Sequence, residues 1–164
     1  ISSGFNDPRV TIHFDDGAEY IGDLEFQYDV IIIDSTDPFS VGASLFTEKF
    51  YEKLTQSVRE HGIIVSQSES MFYNANMISD MKEFKTKYFR SVEYYYTMVP
   101  TYPSGTIGFQ ICSDGYHLSK SRFGVLQPGG VMTNWEEITG LKYYNFEIHK
   151  SSFILPNGVK QWHT

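Results

Sequence analysis

The stretch Tyr28 to Pro38, YDVIIIDSTDP, constrains the fold more than any other part of the chain. Val30 to Ile33 is an unbroken β-branched run, too short for a helix and too apolar for an exposed strand, so the pattern predicts a strand buried on both faces. It stops at Asp34. A turn-forming Ser-Thr-Asp-Pro segment follows, because Pro38 cannot extend a central strand and biases Asp37 away from helix. Open α/β sheets bind ligands in the crevice beyond the carboxyl ends of their strands. Two carboxylates there, Asp34 and Asp37, suit a cationic ligand.

The flanking segments extend this into an α/β pattern. Val10 to Phe14 is β-rich and runs into Asp15-Asp16-Gly17, which predicts a strand, a turn and a short helix over Ala18 to Leu24. Leu45, Phe46, Phe50, Leu54 and Val58 fall at helical spacing, with Gly62 placed to stop that helix. Ile63 to Val65 is a further short strand, followed by Ser66, Gln67, Ser68 and Glu69. A helix from an Asn76 cap through Phe89 comes next, with Ile78, Met81, Phe84, Lys85 and Tyr88 on one face. Val92 to Val99 and Thr106 to Ser113, joined by Tyr102-Pro103-Ser104-Gly105, predict an antiparallel pair at the sheet's edge. Residues 114–135 predict a long surface loop, Trp135 to Tyr144 a helix, and the FILP segment near Phe153 a short extended piece.

At 164 residues the chain has room for one domain with a sizeable core. Thirteen Lys and Arg against twenty Asp and Glu, with no basic cluster, argue against nucleic acid as a partner. Cys112 is the only cysteine, which removes disulfides from the account and fits an intracellular setting. No apolar run approaches the ~20 residues needed to span a bilayer. The five histidines show no two-His spacing with a carboxylate, so no metal is expected. No Gly-Xaa-Ser-Xaa-Gly elbow and no strand-linked Gly-rich phosphate loop occurs. What remains is a constellation of Asp16, Asp34, Asp37, Gln67, Glu69 and Tyr102 at strand ends or in adjacent loops. Each alone is a weak signal, and Asp16 and Asp37 taken singly are more simply turn-formers or helix caps. Asp34 stands out, since a carboxylate ending a buried strand is a credible proton acceptor.

These residues resemble the spermidine synthase family of polyamine aminopropyltransferases. The resemblance rests on residues 4–10 (GFNDPRV), Asp16-Gly17, residues 28–38, residues 44–51, Gln67-Xaa-Glu69-Ser70, PTYPSGTIGF at 100–109 and LKYYN at 141–145. It implies a methyltransferase-like Rossmann fold of the α/β class, here its C-terminal part with a terminal antiparallel hairpin. It also implies transfer of an aminopropyl group from decarboxylated S-adenosylmethionine to putrescine, with no cofactor, in a cytoplasmic homodimer. By the same resemblance Asp16 and Gly17 fall on the adenine-binding Asp-Gly, Asp34 on the proton acceptor, and Ser35, Thr36 and Asp37 on the polyamine loop. Gln67, Glu69 and Tyr102 fall on the polyamine groove, with Tyr102 helping to orient the attacking nitrogen.

The chain also departs from the family. Residues 39–43, FSVGA, stand where a Gly-Pro-Ala segment is usual, which bears on the donor. The family's N-terminal β-domain and Gly-rich donor segment would precede Ile1, so a fragment or trimmed chain is expected, inactive when alone. Two alternatives stay open: a putrescine N-methyltransferase, or a truncated homologue acting as a non-catalytic partner of a complete synthase.

Overall fold

A computed structural model of the chain describes residues 2–21, 27–35, 41–115 and 141–160. After a short 3-10 turn at Ser2–Asn6 come α1 (Gly17–Tyr20), β1 (Tyr28–Ile33), a second 3-10 segment (Val41–Phe46), α2 (Glu48–Ser57) and β2 (Val58–Gln67). The chain continues with α3 (Ala75–Lys85), β3 (Ser91–Met98), β4 (Thr106–Ser113), α4 (Phe146–Ser152) and α5 (Asn157–Lys160). The strands form one mixed sheet of order β1-β2-β4-β3. β1 and β2 are parallel, and β4 is antiparallel to both β2 and β3. The α/β class and the antiparallel β3–β4 pair expected from the sequence are therefore present.

One face of the sheet carries the core. Ile64, Val92 and Cys112 meet Phe50, Tyr51 and Leu54 from α2, with Ile31 and Ile33 of β1 packed against them. Thr47 starts α2 by accepting the Phe50 amide at 3.2 Å, a cap that contributes about 1 kcal/mol. Tyr51 carries α2 onto α3, its ring edge-on to Phe84 with centroids 5.1 Å apart. On the opposite face Phe153, just beyond α4, packs on Tyr95, which stacks on Phe109.

Four sequence expectations are corrected. Val10 to Phe14 forms no strand; Val10, Ile12 and Phe14 are exposed and join no strand ladder among the described residues, and β-propensity without a partner strand does not make a strand. β1 is an edge strand among the described residues, with Val30 51% and Ile32 74% exposed, so it is covered on one face only. An apolar run cannot by itself report whether both faces are covered. Gly62 does not stop a helix: α2 ends at Ser57, and Val58 enters β2 directly by pairing with Tyr28. Gly62 instead sits where the β1–β2 register shifts, and a Cβ there would lie 3.0 Å from the Asp29 carbonyl oxygen and run into Val58. The helix expected over Trp135 to Tyr144 is not present at 141–144; α4 begins at Phe146, capped by Asn145 accepting the Ile148 amide. The residues 116–140 of the predicted loop and helix lie outside the described set.

Beneath the sheet, the Lys85 ammonium is buried and donates to Ser66 Oγ at 2.6 Å and Gln110 Oε1 at 2.7 Å. Desolvation pulls its pKa down to about 8 from the usual 10.5. Between about pH 8 and 10.5 the unfolded chain therefore binds more protons at this position than the folded one, and stability rises with pH across that window. Lys85→Met removes the titration. Wild-type unfolding free energy minus that of Lys85→Met should climb from pH 8 to 10.5, with a slope approaching ~1.4 kcal/mol per pH unit. Urea titrations at several pH values check this; a flat difference contradicts it.

Candidate functional site

The carboxyl ends of β1 and β2 lie at one end of the sheet. Because β4 runs antiparallel to β2, with Gln67 opposite Phe109, the β3–β4 turn lies at that same end. Asp34 and Ser35 leave β1 there, Gln67 closes β2, Ser68 and Glu69 follow it, and Tyr102 sits in the turn. The topology thus gathers Asp34, Ser35, Gln67, Glu69 and Tyr102 at one rim. Thr36 and Asp37 lie outside the described residues, as does the 39–40 part of the departing segment.

A cavity of about 410 Å³ opens along β1, within the size range of small-molecule sites. Gly17 of α1 and Asp34 both line it, with Tyr20, Tyr28, Leu45 and Phe50 supplying apolar and aromatic wall. Asp16 stands next to it as the N-cap of α1, its carboxylate accepting the Ala18 amide at 2.8 Å. Its capping role and a ligand role are compatible, because a carboxylate has lone pairs left after one amide. Asp34 is exposed, so the desolvation expected from a doubly covered strand does not apply to it. Gln67, Glu69 and Tyr102 do not line this cavity; they stand along the rim from β1 toward β4.

The rim is held from below. Ser68 N–H donates to the Gly108 carbonyl at 2.8 Å, and the buried Tyr94 hydroxyl donates to the Glu69 carbonyl at 2.9 Å. Burial keeps the Tyr94 phenol protonated well above its usual range, so this donor persists. In the turn, the Tyr102 carbonyl accepts the Gly105 amide at 2.8 Å, and Gly105 takes φ +68°, a left-handed conformation that favours glycine. Tyr102 itself is 40% exposed and presents its ring to solvent at the rim.

Sequence reasoning missed the cavity wall and the supports. Tyr20 and Tyr28 share a hydroxyl–hydroxyl hydrogen bond of 3.2 Å, which with burial raises the Tyr28 phenol to about 12. Neither residue falls in a motif. Tyr94 is equally silent as sequence, as are the partners of Lys85, since only the fold brings Tyr94 beneath Glu69 and Lys85 against Ser66 and Gln110. Among the described residues no group of three or more His, Cys, Asp or Glu is arranged to hold a metal ion.

Comparison with known proteins bears on the family and the fold. The spermine/spermidine synthase domain model matches residues 1–121. The polyamine aminopropyltransferase of Leptospira biflexa is 38% identical over 98% of this chain and 54% of its own length. The spermidine synthase of Schizosaccharomyces pombe is 38% identical over 95% of this chain and 51% of its own. A crystal structure of spermidine synthase in complex with the transition-state analogue AdoDATO superposes with a TM-score of 0.81 at 35% identity, covering 98% of this chain and 53% of that one. Spermidine synthase from Thermotoga maritima gives 0.78 at 35% identity, over 98% and 52%. The chain spans about half the length of the curated relatives it matches.

Proposed function

The chain belongs to the spermine/spermidine synthase family, and from that premise we propose that it carries the acceptor side of a site transferring an aminopropyl group from decarboxylated S-adenosylmethionine to putrescine. The observation that carries the reading is the position of Asp34: it ends β1, lines the cavity together with Gly17, and opens the rim on which Gln67, Glu69 and Tyr102 follow. A diamine with two positive charges suits this acidic edge.

The chemistry assigns the residue types. Putrescine is almost wholly protonated near neutral pH, and an ammonium has no lone pair with which to attack. Asp34 accepts one proton. The freed amine nitrogen then forms a bond to the donor methylene beside the sulfonium, and the carbon–sulfur bond breaks with its electron pair passing to sulfur. The products are spermidine and methylthioadenosine. Neutral thioether is a good leaving group and needs no acid. Tyr102 orients the attacking nitrogen, and Asp37, Glu69 and Gln67 hold the distal ammonium so that attack is in line. Asp16 and Gly17 face the donor's adenine, and Ser35 and Thr36 complete the polyamine loop. No cofactor or metal takes part. The relatives named above are aminopropyltransferases or spermidine synthases, which favours this donor over the intact S-adenosylmethionine of a putrescine N-methyltransferase. The proposal extends to a homodimer in the cytoplasm, supported by family membership alone. No helix among the described residues is long and apolar enough to cross a membrane.

Asp37→Asn tests the reading. A distal-ammonium ligand acts in ground and transition states alike, so its loss should raise KM for putrescine by ~10-fold or more with kcat changed much less, charge-assisted hydrogen bonds being worth about 1.5–3 kcal/mol. Steady-state kinetics on the full-length protein decides. An unchanged KM removes Asp37 from the diamine site.

A further inference from the structure

A row of four residues crosses the sheet at one level. Ile33 of β1 pairs with Ser66 of β2, Ser66 with Gln110 of β4, and Gln110 with Tyr94 of β3. Asp34 follows the first member and Gln67 the second. Tyr94, the last member, holds the Glu69 carbonyl.

Lys85 joins the two middle members from beneath. Its ammonium donates to Ser66 Oγ and to Gln110 Oε1, which are direct cross-strand partners. The Gln110 amide nitrogen in turn donates to the Ile78 carbonyl of α3 at 2.8 Å. The helix therefore grips one rung of the β2–β4 ladder at two points, Ile78 and Lys85, about two turns apart on its own length. Ser66, Lys85 and Gln110 are all buried. Among the described residues no carboxylate lies within ion-pair distance of Lys85, so both of its named acceptors are neutral. A desolvated cation with neutral partners is a costly way to fill a core, and an apolar side chain of similar length would fill the same volume. What an apolar chain cannot do is tie two strands and a helix together at a fixed level.

We propose that Lys85 is a positioning residue for the diamine site: through Ser66 and Gln110 it fixes the β2–β4 rung next to the final Gln67–Phe109 pair, and so sets where Gln67 and Glu69 stand relative to Asp34. The proposal rests on the aminopropyl-transfer reading for the roles of Gln67 and Glu69. The tether itself does not depend on that reading. Lys85 touches no substrate.

The experiment has two arms, hydrogen exchange by mass spectrometry over residues 66–70 and steady-state kinetics with putrescine, both on the full-length protein. Two variants are compared, Lys85→Met and Ser66→Ala, the second removing one acceptor with little change of volume. In Lys85→Met the amides of 67–70 should exchange about tenfold faster or more while β1 and α2 exchange as in the wild type, since local opening is read separately from global unfolding. KM for putrescine should rise about tenfold with kcat within about threefold, the pattern of a misplaced ground-state ligand. Ser66→Ala should move both readouts the same way by less. Should Lys85→Met not fold, Ser66→Ala decides alone. Unchanged exchange at 67–70, or faster exchange spread evenly over the chain, overturns the tether. Faster exchange at 67–70 with KM unmoved overturns its role in diamine positioning. A wild-type protein with no transfer activity defeats the functional reading instead, and the exchange arm still judges the tether.

Discussion

Asp34→Asn is expected to lower turnover at saturating putrescine by ~10²–10⁴-fold, the usual loss when a positioned general base is removed. Asparagine keeps the size and most of the hydrogen-bonding shape of the side chain but cannot accept the proton that frees the amine. The fold should be undisturbed, because Asp34 is exposed beyond the end of β1 and exposed substitutions usually change stability by no more than ~0.5 kcal/mol. Comparing kcat with the urea midpoint separates the two effects. Near-normal turnover at saturating putrescine would leave Asp34 as a binding residue only.

Gly108→Ala should produce the largest loss of stability for the smallest change of composition. Gly108 is buried in β4, and a methyl there would occupy the space of the Tyr94 phenol ring and hydroxyl. Tyr94 cannot swing aside freely, since Met71, Ile78 and Val159 pack around it. Forcing extra volume into such a site costs about 1–3 kcal/mol. Displacing the ring also breaks the Tyr94–Glu69 hydrogen bond, leaving a buried donor unsatisfied for a further ~1–3 kcal/mol. A total of ~2–6 kcal/mol follows if the two add, as a shift in urea midpoint at constant slope. Because the Glu69 backbone is released as well, KM for putrescine should rise. A midpoint within error of the wild type contradicts the packing account.

The legible part of this protein is local, and the rest is register. Asp34 at the end of β1 could be found because an apolar β-branched run broken by Asp-Ser-Thr-Asp-Pro carries its own stop signal, and Thr106 to Ser113 because Pro103 and Gly105 mark the turn before it. The placement of β1 could not. Val30 to Ile33 would look the same at the centre of a sheet as at its edge, and here Val30 and Ile32 face away from α2 and are exposed. Val10 to Phe14 misled for a related reason: alternation and β-branching record a capacity to pair, and pairing is decided elsewhere in the chain. Gly62 looked like a helix stop because it follows an apolar helical pattern, yet its reason is the close approach of the Asp29 carbonyl across the ladder. Lys85 sits on the predicted inward face of α3, so its burial was readable. Its partners were not, since Ser66 and Gln110 lie 19 and 25 residues away and meet only through the β2–β4 register.

The site was legible to a similar depth. Asp16, Asp34, Gln67, Glu69 and Tyr102 were found as polar residues at element ends, and the topology brings the last four to one rim with Asp16 beside the adjoining cavity. The apolar wall of Tyr20, Tyr28, Leu45 and Phe50 carries no motif, because a wall needs only volume and many side chains supply it.

The measurement that bears most directly on the account is the identity of the products formed when the full-length protein is given putrescine with decarboxylated or with intact S-adenosylmethionine, separated by chromatography and weighed by mass spectrometry. Spermidine and methylthioadenosine should form from the decarboxylated donor, with no transfer from the intact one. N-methylputrescine and S-adenosylhomocysteine from the intact donor, with no spermidine from the other, would contradict it.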